Sequence, residues 1–473
     1  MNQISLTMPR KRVAAVAIAF AATLLAACAA PGPGVPGSAD ATPGHGEPFR
    51  SVYVPASAPP VLFVGATVLT GDGRRIDDAS VYFAEGVIRA VGTPVETAPG
   101  TRVVQAQGKW ITPGLIDAHS HMGNFPVPFV AAHQDVNEFS SPNTAGVWAE
   151  HGVWPQDPAF NTARAGGITS FHVLPGSANL FGGRGVTLKN VPARTVQEMK
   201  FPGAPHGLKM ACGENPKRFY GGRNQAPVSR MGNLAGHRAG WIAAQQYLDK
   251  QEKAAAGNGD PPPRDLGLET LAGVLKGEVL VHNHCYRADE MALMIDLARE
   301  FGYHPGTFHH ATEAYKIADL LAETGSCAAM WADWWGFKLE AWDAIRENVA
   351  IVDAVGGCAI VHSDSSVEGQ RLNQEAGKVM GAARRAGMAV SPEHAIRWLT
   401  ENPARSLGIA DRVGTLAPGM MADVVVWSGN PFSVYAKVEQ VYIDGVLLHD
   451  RDDPATQHQT DFELGLLGAG GGR

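Results

Sequence analysis

The chain has 473 residues, 45% of them hydrophobic and 18% charged, with 55 Gly and 32 Pro. That length exceeds what one hydrophobic core normally holds, so a large domain with a smaller companion and many tight loops is expected. A net charge of −7, with no Lys/Arg run beyond the N-terminus, excludes a basic surface for phosphate backbones: nucleic acid is not an expected partner, a small-molecule substrate is, and homo-oligomers stay open.

Arg10, Lys11 and Arg12 precede an apolar stretch over 13–27 of signal-peptide rather than membrane-spanning length. It ends in Leu25-Ala26-Ala27-Cys28, which resembles the lipobox of bacterial lipoproteins. The resemblance implies a signal peptide over 1–28, lipidation of Cys28 and a place in the cell envelope facing the periplasm, with a plain signal peptide as the alternative. Ala29, where an inner-membrane lipoprotein would carry Asp, resembles those sorted to the outer membrane. The membrane is thus met only through the anchor. Residues 29–58, rich in Ala, Pro and Gly as far as Pro48, read as a flexible tether.

Short β-rich runs at 61–68 and 79–91 are broken by Gly71-Asp72-Gly73 and Glu85-Gly86, as in hairpins, and the pattern returns at 422–427 and 438–448 around Asp444-Gly445. The two ends, 59–112 and 413–452, are expected to form one small β-sandwich, with 453–473 as a tail. Between them, over 113–412, apolar runs alternate with amphipathic stretches that are clearest at 288–301, 313–324 and 368–385. Eight parallel strands are predicted, ending near His119, Val173, Val191, Cys212, His284, His310, Met330 and His362. This is the pattern of an α/β fold, a (β/α)8 TIM-like barrel, whose C-terminal strand ends carry the chemistry. Long insertions follow the first and fourth strands. Apart from Cys28, the cysteines Cys212, Cys285, Cys327 and Cys358 are far apart and form no CxxC pair. No disulfide framework is legible, and Cys327 and Cys358, in apolar runs, are expected as buried free thiols.

In Leu115-Ile116-Asp117-Ala118-His119-Ser120-His121 the two His share one face of a strand and can aim at one metal. Val279-Leu280-Val281-His282-Asn283-His284 repeats the arrangement. Thr307-Phe308-His309-His310 ends the next strand, where adjacent His should face opposite ways so that only one enters the barrel. Cys358-Ala359-Ile360-Val361-His362-Ser363-Asp364 ends in a carboxylate. Four strand ends carrying His, His, His and Asp suit a catalytic zinc-like ion with a position open to water. Reading them all as core-capping or solvated groups requires four coincidences. Trp331, Trp334 and Trp335 follow the seventh strand at the mouth and are candidates for an apolar recess. Arg184, Arg218 and Arg223, on loops after strands three and four, are candidates to hold a substrate carboxylate, with ordinary surface charge as the default.

The segment Trp110-Ile111-Thr112-Pro113-Gly114-Leu115-Ile116-Asp117-Ala118-His119-Ser120-His121 resembles the first-strand signature of the amidohydrolase superfamily. Arg287-Ala288-Asp289-Glu290, His310-Ala311-Thr312-Glu313, His362-Ser363-Asp364, Asn402-Pro403-Ala404 and Gly414-Thr415-Leu416-Ala417-Pro418-Gly419 resemble, in order, its imidazolonepropionase-like branch, over about residues 60–450. The resemblance implies metal ligands at His119, His121, His310 and Asp364, and on strand five His284, or His282. It also implies a bridging ligand in two-metal members, for which Lys209 or Glu214 is available. One or two divalent ions, zinc first, are therefore expected, with Asp364 taking the proton of an attacking water and returning it to nitrogen. The expected reaction is hydrolysis of a C–N bond in a small cyclic amide, amidine or related compound. The alternatives are a prolidase-like metallo-dipeptidase and a substrate-binding lipoprotein that keeps the barrel without turnover.

Overall fold

The computed structural model describes residues 49–92 and 95–456. The signal peptide, Cys28, the tether as far as Pro48 and the tail from 457 onward lie outside the described residues. Residues 49–58, expected as the end of the tether, are instead pinned to the folded body. Ser51 Oγ donates to the Lys200 carbonyl at 2.6 Å, the Val52 amide to the Gln197 carbonyl at 3.0 Å, and the Tyr53 hydroxyl to Asp444 at 2.5 Å. The Ala-Pro-Gly composition that predicts a tether stops at Pro48, and the residues after it bring side chains able to make contacts.

The N-terminal strands form a small sheet. β1 (Val61–Leu69) pairs antiparallel with β2 (Arg75–Ala84), and β2 with β3 (Val87–Gly92), while β4 (Arg102–Gln105) and β5 (Trp110–Pro113) run parallel to β1. The expected turns are where the sequence puts them, with Gly71, Gly73 and Gly86 all at positive φ.

A second sheet takes eight strands in chain order: β6 (Leu115–Ser120), β7 (Ile168–Val173), β8 (Phe181–Lys189), β9 (His206–Ala211), β10 (Val279–Cys285), β11 (Thr307–His310), β12 (Cys327–Met330) and β13 (Cys358–Val361). Its two edges meet. The Asp364 amide donates to the His119 carbonyl at 2.9 Å, Ser120 bridges Ser365 in parallel, and Ser363 Oγ donates to Asp117 at 2.5 Å. The result is an α/β TIM-like barrel whose strands are almost wholly buried, with helices such as Ala288–Phe301 and Leu372–Arg385 packed outside.

Two expectations need correction. β8 is antiparallel to both β7 and β9, so the third strand does not end at the catalytic rim near Val191; it starts there, at Phe181. The physical reason is the connection over 174–180, because a parallel crossover needs about a dozen residues or more and a shorter link must turn the chain back. The cysteines are also paired, as Cys212–Cys285 and Cys327–Cys358. Both pairs join neighbouring strands, a proximity that separations of 73 and 31 residues conceal in the sequence.

The chain then returns to the first sheet. β14 (Val424–Trp427) pairs antiparallel with β5, β15 (Val438–Ile443) with β14, and β16 (Val446–Asp450) with β15, so both ends of the chain share one sheet. That sheet curls over, since Tyr442 of β15 lies 5.2 Å from Phe83 of β2 and 5.8 Å from Phe63 of β1, ring centre to ring centre. β14 is buried on both faces: Val424 and Val426 enter the core of the small sheet, and Val425 and Trp427 enter the core of the barrel. The reversal of β8 delivers Lys189 to this junction. There the fully buried ammonium lies 2.7 Å from Asp444 and 3.3 Å from Asp423.

Candidate metal centre

The strand ends converge as their alternation requires. His119 and His121 lie on and just beyond β6, and the Nε2 atom of each is 3.1 Å from the same Asp364 oxygen. His310 Nδ1 is 3.6 Å from the other Asp364 oxygen. Asp117, on the same β6 face, accepts from the His119 amide, the Ser363 amide and Ser363 Oγ; burial still pushes its carboxyl up to about 7. It fastens the strand that carries His119 to the segment that carries Asp364.

Two backbone kinks aim the ligands. His310 has φ 69° and Asp364 φ 51°, conformations that non-glycine residues adopt only where their surroundings impose them. The kink at His310 changes the expectation for the pair at the end of β11. His309 faces inward by strand alternation, its Nε2 3.0 Å from His282 Nδ1, and His310 turns inward as well, its ring 5.2 Å from that of His119. Both enter the barrel.

The electrostatics favour neutral imidazoles with free lone pairs. Burial drives His119, His284 and His310 well below the ordinary value, and it takes His362 to about 4. His121 Nδ1 lies 2.9 Å from the Leu174 carbonyl, which can only accept, so this nitrogen carries a proton and Nε2 is the atom turned toward Asp364. Both nitrogens of His284, His310 Nδ1 and His362 Nδ1 are buried without a hydrogen-bond partner, as nitrogens that bind a cation would be. The residues therefore fit a divalent cation, and the ligand atoms of His119, His121 and Asp364, and of His119, His310 and His362, lie within 4.8 Å of one another.

The other candidates separate. Lys209 Nζ is 3.1 Å from His119 Nε2, and complete burial lowers its amine to about 8. Glu214 begins the helix Glu214–Gly221 and its amide donates to Glu340; its charge acts on Lys338 and Tyr286. On β10, His284 has free nitrogens beside His310, with ring centres 4.5 Å apart, whereas His282 is deeper and engaged with His309. Arg184 is inside β8 rather than on a loop. Its Nε donates to Thr270 at 2.8 Å and its guanidinium lies over Trp148, so it is structural. Arg218 is in the helix after β9, where its charge adds to the burial that lowers Lys338, and Arg223 folds back over Phe219 at 3.6 Å. Trp334 is on the loop after β12, stacked on Trp331. Sequence reasoning passed over His362, although it stands two residues before Asp364 and obeys the same alternation that singles out His119 and His121.

The family described as the amidohydrolase family matches residues 342–448. The amidohydrolase tasK of Hapsidospora irregularis is 31% identical over 445 residues, 86% of this chain; the chain spans only 45% of that protein's length. An imidazolonepropionase of Mesorhizobium japonicum is 24% identical over 384 residues, 74% of this chain and 87% of its own. Among solved structures, an amidohydrolase from Thermotoga maritima is 36% identical with a TM-score of 0.77, covering 83% of this chain and 100% of that one.

Proposed function

Because this chain belongs to the amidohydrolase family, we propose that it is a metal-dependent hydrolase that cleaves a carbon–nitrogen bond in a small cyclic amide, amidine or related compound. The observation that carries this reading is the meeting of His119 Nε2 and His121 Nε2 at one Asp364 oxygen, with the His121 tautomer fixed by Leu174. His119, His121, His284, His310 and Asp364 would hold the ion. A divalent cation, zinc first for this donor set, supplies Lewis acidity toward the substrate and makes water a stronger acid. Asp364, partly open to solvent, takes the proton of the attacking water and delivers it to the leaving nitrogen. Burial favours the neutral form of His119, His284 and His310, which leaves each a lone pair for the ion. Arg218 and Trp334 are candidate substrate contacts at the mouth, whereas Arg223 is taken up by Phe219.

The test is metal analysis of the purified protein together with Asp364→Asn. We expect bound zinc-like metal, and a fall in kcat of about a hundredfold or more in the variant, since a positioned base contributes at least that much. Full activity in Asp364→Asn would overturn the proton role. Stoichiometric metal with no hydrolysis of any amide, dipeptide or amidine would favour a binding lipoprotein. A metallo-dipeptidase is the second reading, supported by Lys209 beside His119: burial lowers its amine to about 8, and the neutral form could add carbon dioxide with loss of a proton to give an anionic ligand for a second ion. An envelope location with a lipid on Cys28 belongs to the same proposal. Two disulfides support an oxidising compartment. Cys28→Ser should move the protein from the detergent phase to the aqueous phase, and unchanged partition would remove the anchor.

A further inference from the structure

An aromatic ladder leads outward from the metal centre. The His310 ring lies 4.4 Å from Trp331 at an interplanar angle of 30°, Trp331 lies 5.3 Å from Trp334 at 23°, and Phe337 meets Trp331 edge-on at 5.9 Å. The rungs open progressively to water, from 8% exposure at Trp331 to 40% at Trp334 and 58% at Phe337. Trp331 is fixed in place, because its Nε1 donates to the carbonyl of Ser363, the neighbour of Asp364, at 3.3 Å. Tyr286 closes one side, with its ring 5.0 Å from His310 and the Lys338 ammonium 3.8 Å from its centre. A rigid apolar floor beginning at a metal ligand and ending in exposed ring faces is complementary to a flat apolar group.

We propose that Trp334 and Phe337, at the outer end of the stack begun by Trp331, form a subsite for a planar aromatic group, so that the amides or related compounds taken by the centre carry an aromatic substituent outside the bond that is cut. Cleavage beside this group rests on the hydrolase reading; the aromatic contact does not. The ring would lie with its face on Trp334 and its edge toward Phe337, at the outer end of the stack that begins at His310. Trp331 acts as the positioning residue, because it holds the stack at a fixed distance from His310.

Calorimetric titration of the full protein with N-acetyl-phenylalaninamide and N-acetylglycinamide tests this without requiring turnover. The phenyl ligand should bind about tenfold tighter or more, as expected when an apolar pocket is filled rather than left empty. Trp334→Ala and Phe337→Ala should each shrink that ratio, and the double variant should abolish it. Both side chains are exposed, so their removal leaves the core intact. Equal affinities, or a ratio surviving in the double variant, would overturn the subsite. The same two amides are then offered to metal-loaded protein. If both are hydrolysed with equal kcat/KM, the subsite falls and the hydrolase stands. Tight phenyl binding with no hydrolysis of any amide leaves the subsite and overturns the hydrolase.

Discussion

Lys209 is the proposed bridging ligand if the centre takes two ions. It is fully buried, its amine is held down to about 8 by burial, and its Nζ is 3.1 Å from His119. Lys209→Met keeps the length and removes the amine. The variant should be at least as stable toward urea, because an apolar replacement for a buried charge is often neutral or stabilising. If Lys209 bridges, metal analysis should show a fall from two ions to one or none. An unchanged metal count would leave it as a core lysine. The histidines show what can be read at this scale. His119 and His121 were legible because strand alternation alone puts them on one side, and His362 with Asp364 satisfies the same rule. His310 was expected as a ligand, but that His309 faces inward as well was not legible, since strand alternation sends adjacent residues to opposite sides and the φ of 69° at His310 breaks that rule.

The helix Arg230–Ala255 lies in the insertion after β9 and covers the outer side of the reversed strand. Ser229 Oγ accepts from the Gly232 amide to cap it, and Asn233, His237, Trp241, Ala244 and Tyr247 form its buried stripe. Gly240 is required there, because a Cβ would come within 2.6 Å of the Phe181 ring. His237 donates from Nε2 to the Leu180 carbonyl, and burial holds it down to about 4 from an ordinary 6.5. The sign follows: the unfolded chain binds a proton below pH 6.5 and the folded one does not until about pH 4, so stability is lost as pH falls through that window. The slope attributable to this group is at most about 1.4 kcal/mol per pH unit. Urea melts of wild type and His237→Asn across the window should show a flatter profile in the variant, and parallel profiles would mean that His237 does not titrate in this way. At the level of elements, the eight barrel strands and the β-rich ends were visible as apolar runs and turns. The direction of β8 was legible only from the short 174–180 link, and the disulfides not at all, because lateral neighbours in a barrel leave no local mark.

Across the whole molecule the two sheets are held as one body. β14 belongs to both cores, and beside it Lys189 lies between Asp423 and Asp444, with the Tyr53 hydroxyl on Asp444 as well. Burial pushes Asp423 up to about 6, although the ammonium opposes this. Lys189→Met would strand two carboxylates away from water, at a cost of about 3–5 kcal/mol in urea unfolding. The transition should remain single, because the shared strand couples the parts. A second, earlier transition in the variant would show that the small sheet can come away alone.

The backward course of β8 also bears on chemistry. Its hairpin bend opens with Leu174, and the oxygen of that residue tells His121 which nitrogen to protonate. A substitution or insertion in this bend could therefore silence a ligand without touching it, by letting the imidazole present hydrogen where it should present electrons.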